Sequence, residues 1–176
     1  MPFRRTRKTY DQPALYDYAI GALGRHMRSV AELKRLLRQR VAGQENGEAL
    51  IEAVVEQLKE QKYLSDTRFA EAYSSYRREN EKFGRRRVIT DLKAKGVHGD
   101  VIEKAVESAY AGVSEEKLAR QHLARKRMAK PRTQKDAARI FRALARAGFS
   151  NDVIFKILKQ WDVDEEVLSA LESEMA

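Results

Sequence analysis

Residues Gly96-Val97, Asp100-Val101-Ile102 and Lys104 return 52 positions later as Gly148-Phe149, Asp152-Val153-Ile154 and Lys156. Upstream of each block, Val88 and Leu92 return as Ile140 and Leu144 at the same offset. An earlier unit echoes both. Leu33 and Leu37 precede a longer turn and then Ile51-Glu52, and Val54-Val55-Glu56 mirrors Ala105-Val106-Glu107. A single offset that includes a glycine and a helix-capping aspartate exceeds the likeness any two amphipathic helices share. Units of about 50 residues are too small to bury a core alone, so neighbours must stack. The expected fold is all-α, with three tandem three-helix repeats over 13–64, 65–112 and 113–161 packed into an elongated, curved body. A flexible basic arm over 1–12 precedes them, and an acidic tail or short helix over 162–176 follows.

The helical assignment rests on period. Leu15, Ala19, Ala22 and Leu23 make one stripe, Leu33, Leu36, Leu37 and Val41 a second, and Ile51, Val54, Val55 and Leu58 a third. No stretch alternates every two residues as a half-buried strand does. Stop and start signals divide the repeats into nine helices. Pro13 suits a first turn and Ser29 an N-cap. Ser65 and Asp66 can cap a helix beginning at Thr67. Gly96 and Gly148 fall where a helix ends in a left-handed residue. Gly43 to Gly47 is a turn, and Gly84 and Pro131 separate further helices.

Charge and chemistry narrow the function. The sequence has no cysteine, and His26, His98 and His122 lie at no recurring ligand spacing, so no metal or other cofactor is expected. No signal-peptide pattern and no long apolar span is visible, which implies a cytoplasmic protein without membrane contact. Net charge is +9 and uneven: residues 1–43 carry +7 and 114–148 carry +8, while 44–83 carry −3 and 149–176 carry −5. Basic blocks alternating with acidic ones suit a protein that touches both nucleic acid and another protein. No nucleophile motif, histidine–carboxylate cluster or glycine-rich phosphate loop appears, so catalysis is not expected.

The central segment runs Tyr63-Leu64-Ser65-Asp66-Thr67-Arg68-Phe69-Ala70-Glu71-Ala72-Tyr73, then through Arg77 to Gly84-Arg85-Arg86-Arg87-Val88 and Leu92-Lys93-Ala94-Lys95-Gly96-Val97. This resembles the RecX family of recombination regulators. Ala19, Leu23, Arg25, Ser29, Glu32-Leu33 and Leu37 extend the resemblance, which covers about 13–158. It implies tandem three-helix repeats and binding to the RecA recombinase filament, along its helical groove. It also implies restraint of ATP hydrolysis, strand exchange and filament growth, and hence of recombination and the SOS response to DNA damage. The arginine-rich third repeat and the acidic stretch after Trp161 depart from the family pattern.

Individual residues allow two readings each. Phe69, Tyr73 and Tyr76 share one helix face and read as repeat core, with a stacking surface as the alternative. Asp66 reads as a cap, and Arg68 as either an ion-pair partner or a contact. Arg85, Arg86 and Arg87 oppose the dipole of the helix they open. They read, with Lys93 and Lys95, as a patch for phosphates or acidic filament loops, and Arg87–Asp91 is the ordinary pairing alternative. Arg125, Lys126, Arg127, Arg139, Arg142 and Arg146 form a second basic series. Arg25, Arg28, Arg68 and Arg77 complete the candidate contacts. Trp161 reads as the end of the third core, with Val163, Val167, Leu168 and Leu171 in a short helix beyond it. Expected partners are the RecA filament and single-stranded or double-stranded DNA through its phosphates, with the chain a monomer. The competing reading is a DNA-binding helical module that contacts phosphates without a recombinase partner, since basic residues spread over several helices do not suit base readout.

Overall fold

The computed structural model describes residues 9–173. Arg4, Arg5, Arg7 and Lys8 of the expected arm lie outside them. The described residues form α1 (Gln12–Arg25), α2 (Val30–Arg40), α3 (Gly47–Glu60), α4 (Asp66–Tyr76), α5 (Arg85–Ala94), α6 (Gly99–Tyr110), α7 (Glu115–Arg125), α8 (Gln134–Arg146), α9 (Asn151–Gln160) and α10 (Glu165–Ser173). No strand occurs among them, and none of their helices is long and apolar enough to cross a membrane. The chain is all-helical, in three successive triplets with α10 appended. One element was not expected from the sequence: α4 runs on into a π-helical turn, Arg77–Glu81.

Local chemistry explains most boundaries. Asp11 accepts the Ala14 amide at 2.9 Å, with Pro13 in the first turn of α1. Ser29 and Glu32 form a reciprocal capping box on α2, at 3.1 and 3.2 Å. Asp66 departs from its expected role. Ser65 alone accepts the Arg68 amide that opens α4, whereas Asp66 Oδ1 accepts the Val30 amide at 2.8 Å and so caps α2. Arg68 is exposed and donates to the Lys62 carbonyl just beyond α3.

The helices gather into two compact units. One holds the described residues up to Phe69 together with Ala94–His98. Its core is Leu15, Ala19, Leu33, Leu37, Val41, Ile51, Val54, Val55, Leu58 and Leu64. The turn after α5 docks on the start of α2: Ser29 Oγ donates to the Lys95 carbonyl at 2.5 Å, and Lys95 pairs with Glu32 at 2.7 Å. Gly96 is left-handed there, and a Cβ on it would stand 2.5 Å from that of Ala31.

The second unit holds Ala70–Lys93 and the residues from Gly99 onward. Phe141, Phe149, Leu92, Leu123, Ile140, Leu144 and Ile154 are its largest fully buried side chains. It contains the same joint one repeat later. The Gly84 amide donates to the Ala147 carbonyl at 2.8 Å and the Arg86 amide to that of Gly148 at 3.3 Å. Gly148 has φ +90°, and a Cβ on it would lie 2.2 Å from the Arg87 nitrogen. This joint explains the three arginines that open α5. The negative end of α8 abuts them, offsetting the repulsion from their own helix.

One aromatic expectation needs correction. Phe69 is buried, but Tyr73 is half-buried with its hydroxyl donating to Asp91 at 3.1 Å, and Tyr76 is 55% exposed. Tyr76 closes α4, and the π-helical turn begins at the next residue. Trp161 is half-buried at the end of α9, with the Arg120 guanidinium 5.9 Å from its ring centre. Beyond it α10 buries Leu168 and Leu171, packing on α8 and α9.

Candidate functional site

Within the second unit, α5, the end of α7, the following loop and α8 enclose a groove of about 610 Å³. Its walls carry Arg87, Lys126, Arg127, Arg139 and Arg146, and no carboxylate lines it. Phe83, Met128, Ala143 and Ala147 supply apolar surface, and His122 lies at its base. Each cation is placed by a local rule. Arg139 and Arg146 are seven residues apart on α8, with Ala143 between them, so they share a face two turns long. Lys126 caps α7, and Arg127 follows it with φ +54°, in the left-handed position where glycine is usual. Arg87 comes from the first turn of α5 and pairs with Asp91 at 3.0 Å.

Five cations around a space with no lining carboxylate concentrate positive potential there, although Arg87 is partly offset by Asp91. The aromatic side is built as a stack. The Arg77 guanidinium lies 4.9 Å from the Tyr73 ring centre and 5.5 Å from that of Phe83, while Arg87 lies 5.7 Å from Phe83 on the groove side. Arg77 is thus packed between rings, positioning Phe83 and Arg87, and does not line the groove.

His122 is 3% exposed. Its Nδ1 faces the Glu81 carbonyl at 3.1 Å, and its ring lies between those of Phe83 and Phe149. Burial holds its pKa below the ordinary value of 6.5; the Glu81 carbonyl opposes this, and Lys126 and Arg125 add to it.

Members of both basic series read from sequence therefore line one groove. Arg87 and Arg139 stand 52 residues apart, the repeat offset, so they hold equivalent positions in successive repeats; that signal was present in the sequence. Arg142 is exposed on α8 outside the lining, and Arg125 pairs with Glu81 at 3.1 Å. Arg85 and Arg86 are exposed at the start of α5, with Arg85 5.8 Å from the Tyr110 ring centre. Lys93 is exposed on α5 and does not line this groove. In the first unit, Lys95 is engaged by Glu32, Arg68 by Lys62, Arg25 is exposed at the end of α1 and Arg28 is half-buried. Phe83, Met128 and His122 were not expected at a site. A lone histidine inside a helical stripe gives no sequence sign that cations surround it.

Comparison with known proteins fixes the family. The profile of the second three-helix domain of RecX matches residues 65–106. A regulatory protein RecX of Myxococcus xanthus is 33% identical over 168 residues, covering 88% of this chain and 87% of that one. The chain belongs to the RecX family. The RecX of Bacillus pumilus is also 33% identical, over 86% of this chain, but this chain spans only 57% of its length. The crystal structure of RecX from Lactobacillus salivarius superimposes with a TM-score of 0.65 over 86% of this chain and 96% of that one. At 21% identity that likeness speaks to the RecX fold. The RecX relatives are named regulatory proteins.

Proposed function

We propose that this chain is a non-enzymatic, cytoplasmic regulator that binds the RecA recombinase filament and limits its ATP hydrolysis, strand exchange and growth. Through that action it modulates recombination and the response to DNA damage. Membership of a family of regulatory proteins is the observation that carries this reading. The basic groove supports its nucleic-acid side: Arg87, Lys126, Arg127, Arg139 and Arg146 are arranged to contact phosphates while another surface engages the recombinase.

The test is RecA ATP hydrolysis on single-stranded DNA, titrated with this protein at fixed salt. Inhibition well below one regulator per recombinase subunit is expected, because a blocked filament end or groove silences many subunits. Absence of inhibition by excess protein with a cognate RecA would defeat the proposal.

The groove also favours a second reading, a helical module that contacts DNA phosphates without a recombinase. Tight binding to DNA combined with no effect on RecA would select it.

A further inference from the structure

The base of the groove holds a group that its walls do not explain. A buried histidine commonly has both ring nitrogens engaged or is packed against apolar neighbours only. His122 has one engaged nitrogen. Nδ1–H donates to the Glu81 carbonyl, which fixes the neutral tautomer and leaves Nε2 as an acceptor with no hydrogen bond among the described residues. The ring is otherwise enclosed by Phe83 and Phe149, and the residue lines the groove. Cations from each element around the ring either act on it directly or line the same groove. These are Arg125 and Lys126 on and after α7, Arg127 in the loop, Arg87 on α5, and Arg139 and Arg146 on α8. The opposing carboxylate, Glu81 on the π-helical turn, is already paired with Arg125.

We propose that His122 is the proton-coupled end of the groove: when a phosphate-type anion enters, Nε2 takes up a proton and donates to an anion oxygen. This rests on the reading of the groove as a phosphate site. In the empty groove burial, and after it Lys126 and Arg125, hold the imidazole below its ordinary pKa and so favour its neutral form. A bound anion reverses the local potential and supplies the acceptor that a protonated Nε2 requires, so its pKa rises on binding. The exchange balances with one proton taken from solvent per anion bound. By linkage, affinity strengthens as pH falls through the window between the depressed value of the empty groove and the raised value of the loaded one. One proton can contribute at most about tenfold per pH unit. The arrangement differs from a simple electrostatic patch, whose fully charged arginines and lysine give no pH response near neutrality.

The experiment is calorimetric titration of the full chain with oligothymidylate at fixed salt, between pH 6 and 8, in buffers of different ionisation enthalpy. The wild-type protein takes up a fraction of a proton per oligonucleotide, and binding tightens toward pH 6. His122→Gln, which keeps a side-chain donor for Glu81, binds with that uptake abolished. The His122 imidazole resonances of the wild-type protein provide a second reading that needs no variant: their titration midpoint moves up when oligothymidylate is present. Binding without proton uptake, uptake unchanged in His122→Gln, or an unmoved midpoint would overturn the proposal while leaving the phosphate groove intact. No binding at either pH, with no effect of reversing Arg139, would overturn the groove reading and this one together.

Discussion

Arg127 stands at the position after α7 where the backbone turns left-handed, a conformation that costs an L-residue about 1 kcal/mol or more and glycine nothing. Its side chain lines the groove, so the strain is retained alongside a charge in that site. Arg127→Gly is therefore expected to raise stability by about 1 kcal/mol in denaturant unfolding while weakening binding to oligothymidylate; both changes in the same direction would contradict this. His122 gives a second opposed signature in the free protein. Its pKa is depressed in the folded state, so the unfolded chain binds more protons as pH falls below about 6.5. Thermal stability should fall across that range and level off below the depressed value, and His122→Gln should remove this component of the slope. Single residues were unevenly legible. Ser29 as a cap could be read because its partners lie within four positions. Asp66 could not, because the amide it caps is 36 residues away.

Helices were legible where period and punctuation agree, and the joints between them were only half so. Left-handed glycines at 96 and 148 follow from their place after a periodic stripe, but what those turns rest on does not. At the second joint a Cβ on Gly148 would overlap the Arg87 backbone, and the φ of +90° adds strain. Gly148→Ala should cost several kcal/mol, at least about 3. Gly112 has φ +68° with nothing near its missing Cβ, so Gly112→Ala should cost only about 1 kcal/mol. Equal destabilisation in urea unfolding would show that conformation, and not close approach, dominates at both. The π-helical turn escaped the sequence because Arg77-Arg78-Glu79-Asn80-Glu81 is polar throughout and carries no period to interrupt.

For the molecule as a whole, the net charge of +9 is less informative than where it is unopposed. Many basic side chains are spoken for, as Lys34 is by Glu52 at 2.7 Å and Arg38 by Glu48 at 2.9 Å. In the groove Arg87 has such a partner in Asp91, but no carboxylate lines the space. Arg139→Glu with Arg146→Glu should weaken DNA binding and flatten its dependence on log salt, by about 0.7 for each single-strand phosphate that no longer meets a cation. Arg38→Glu should leave the slope unchanged; equal effects would mean that binding follows total charge and not this site. Composition showed a basic excess and the repeat offset related Arg87 to Arg139. Only the fold shows that Lys126 and Arg127 close the same space.

The joint between Gly84 and Ala147 also bears on how the chain comes into being. Synthesis proceeds from the amino end, and domains tend to fold as they emerge. When α5 leaves the ribosome, the carbonyls that receive its first amides have not been made. The start of α5 must wait for α8, and the same holds for the groove, whose Arg87 precedes its Arg146 by more than fifty residues. A nascent chain arrested before residue 134 would therefore carry its central arginines without the groove that α8 completes.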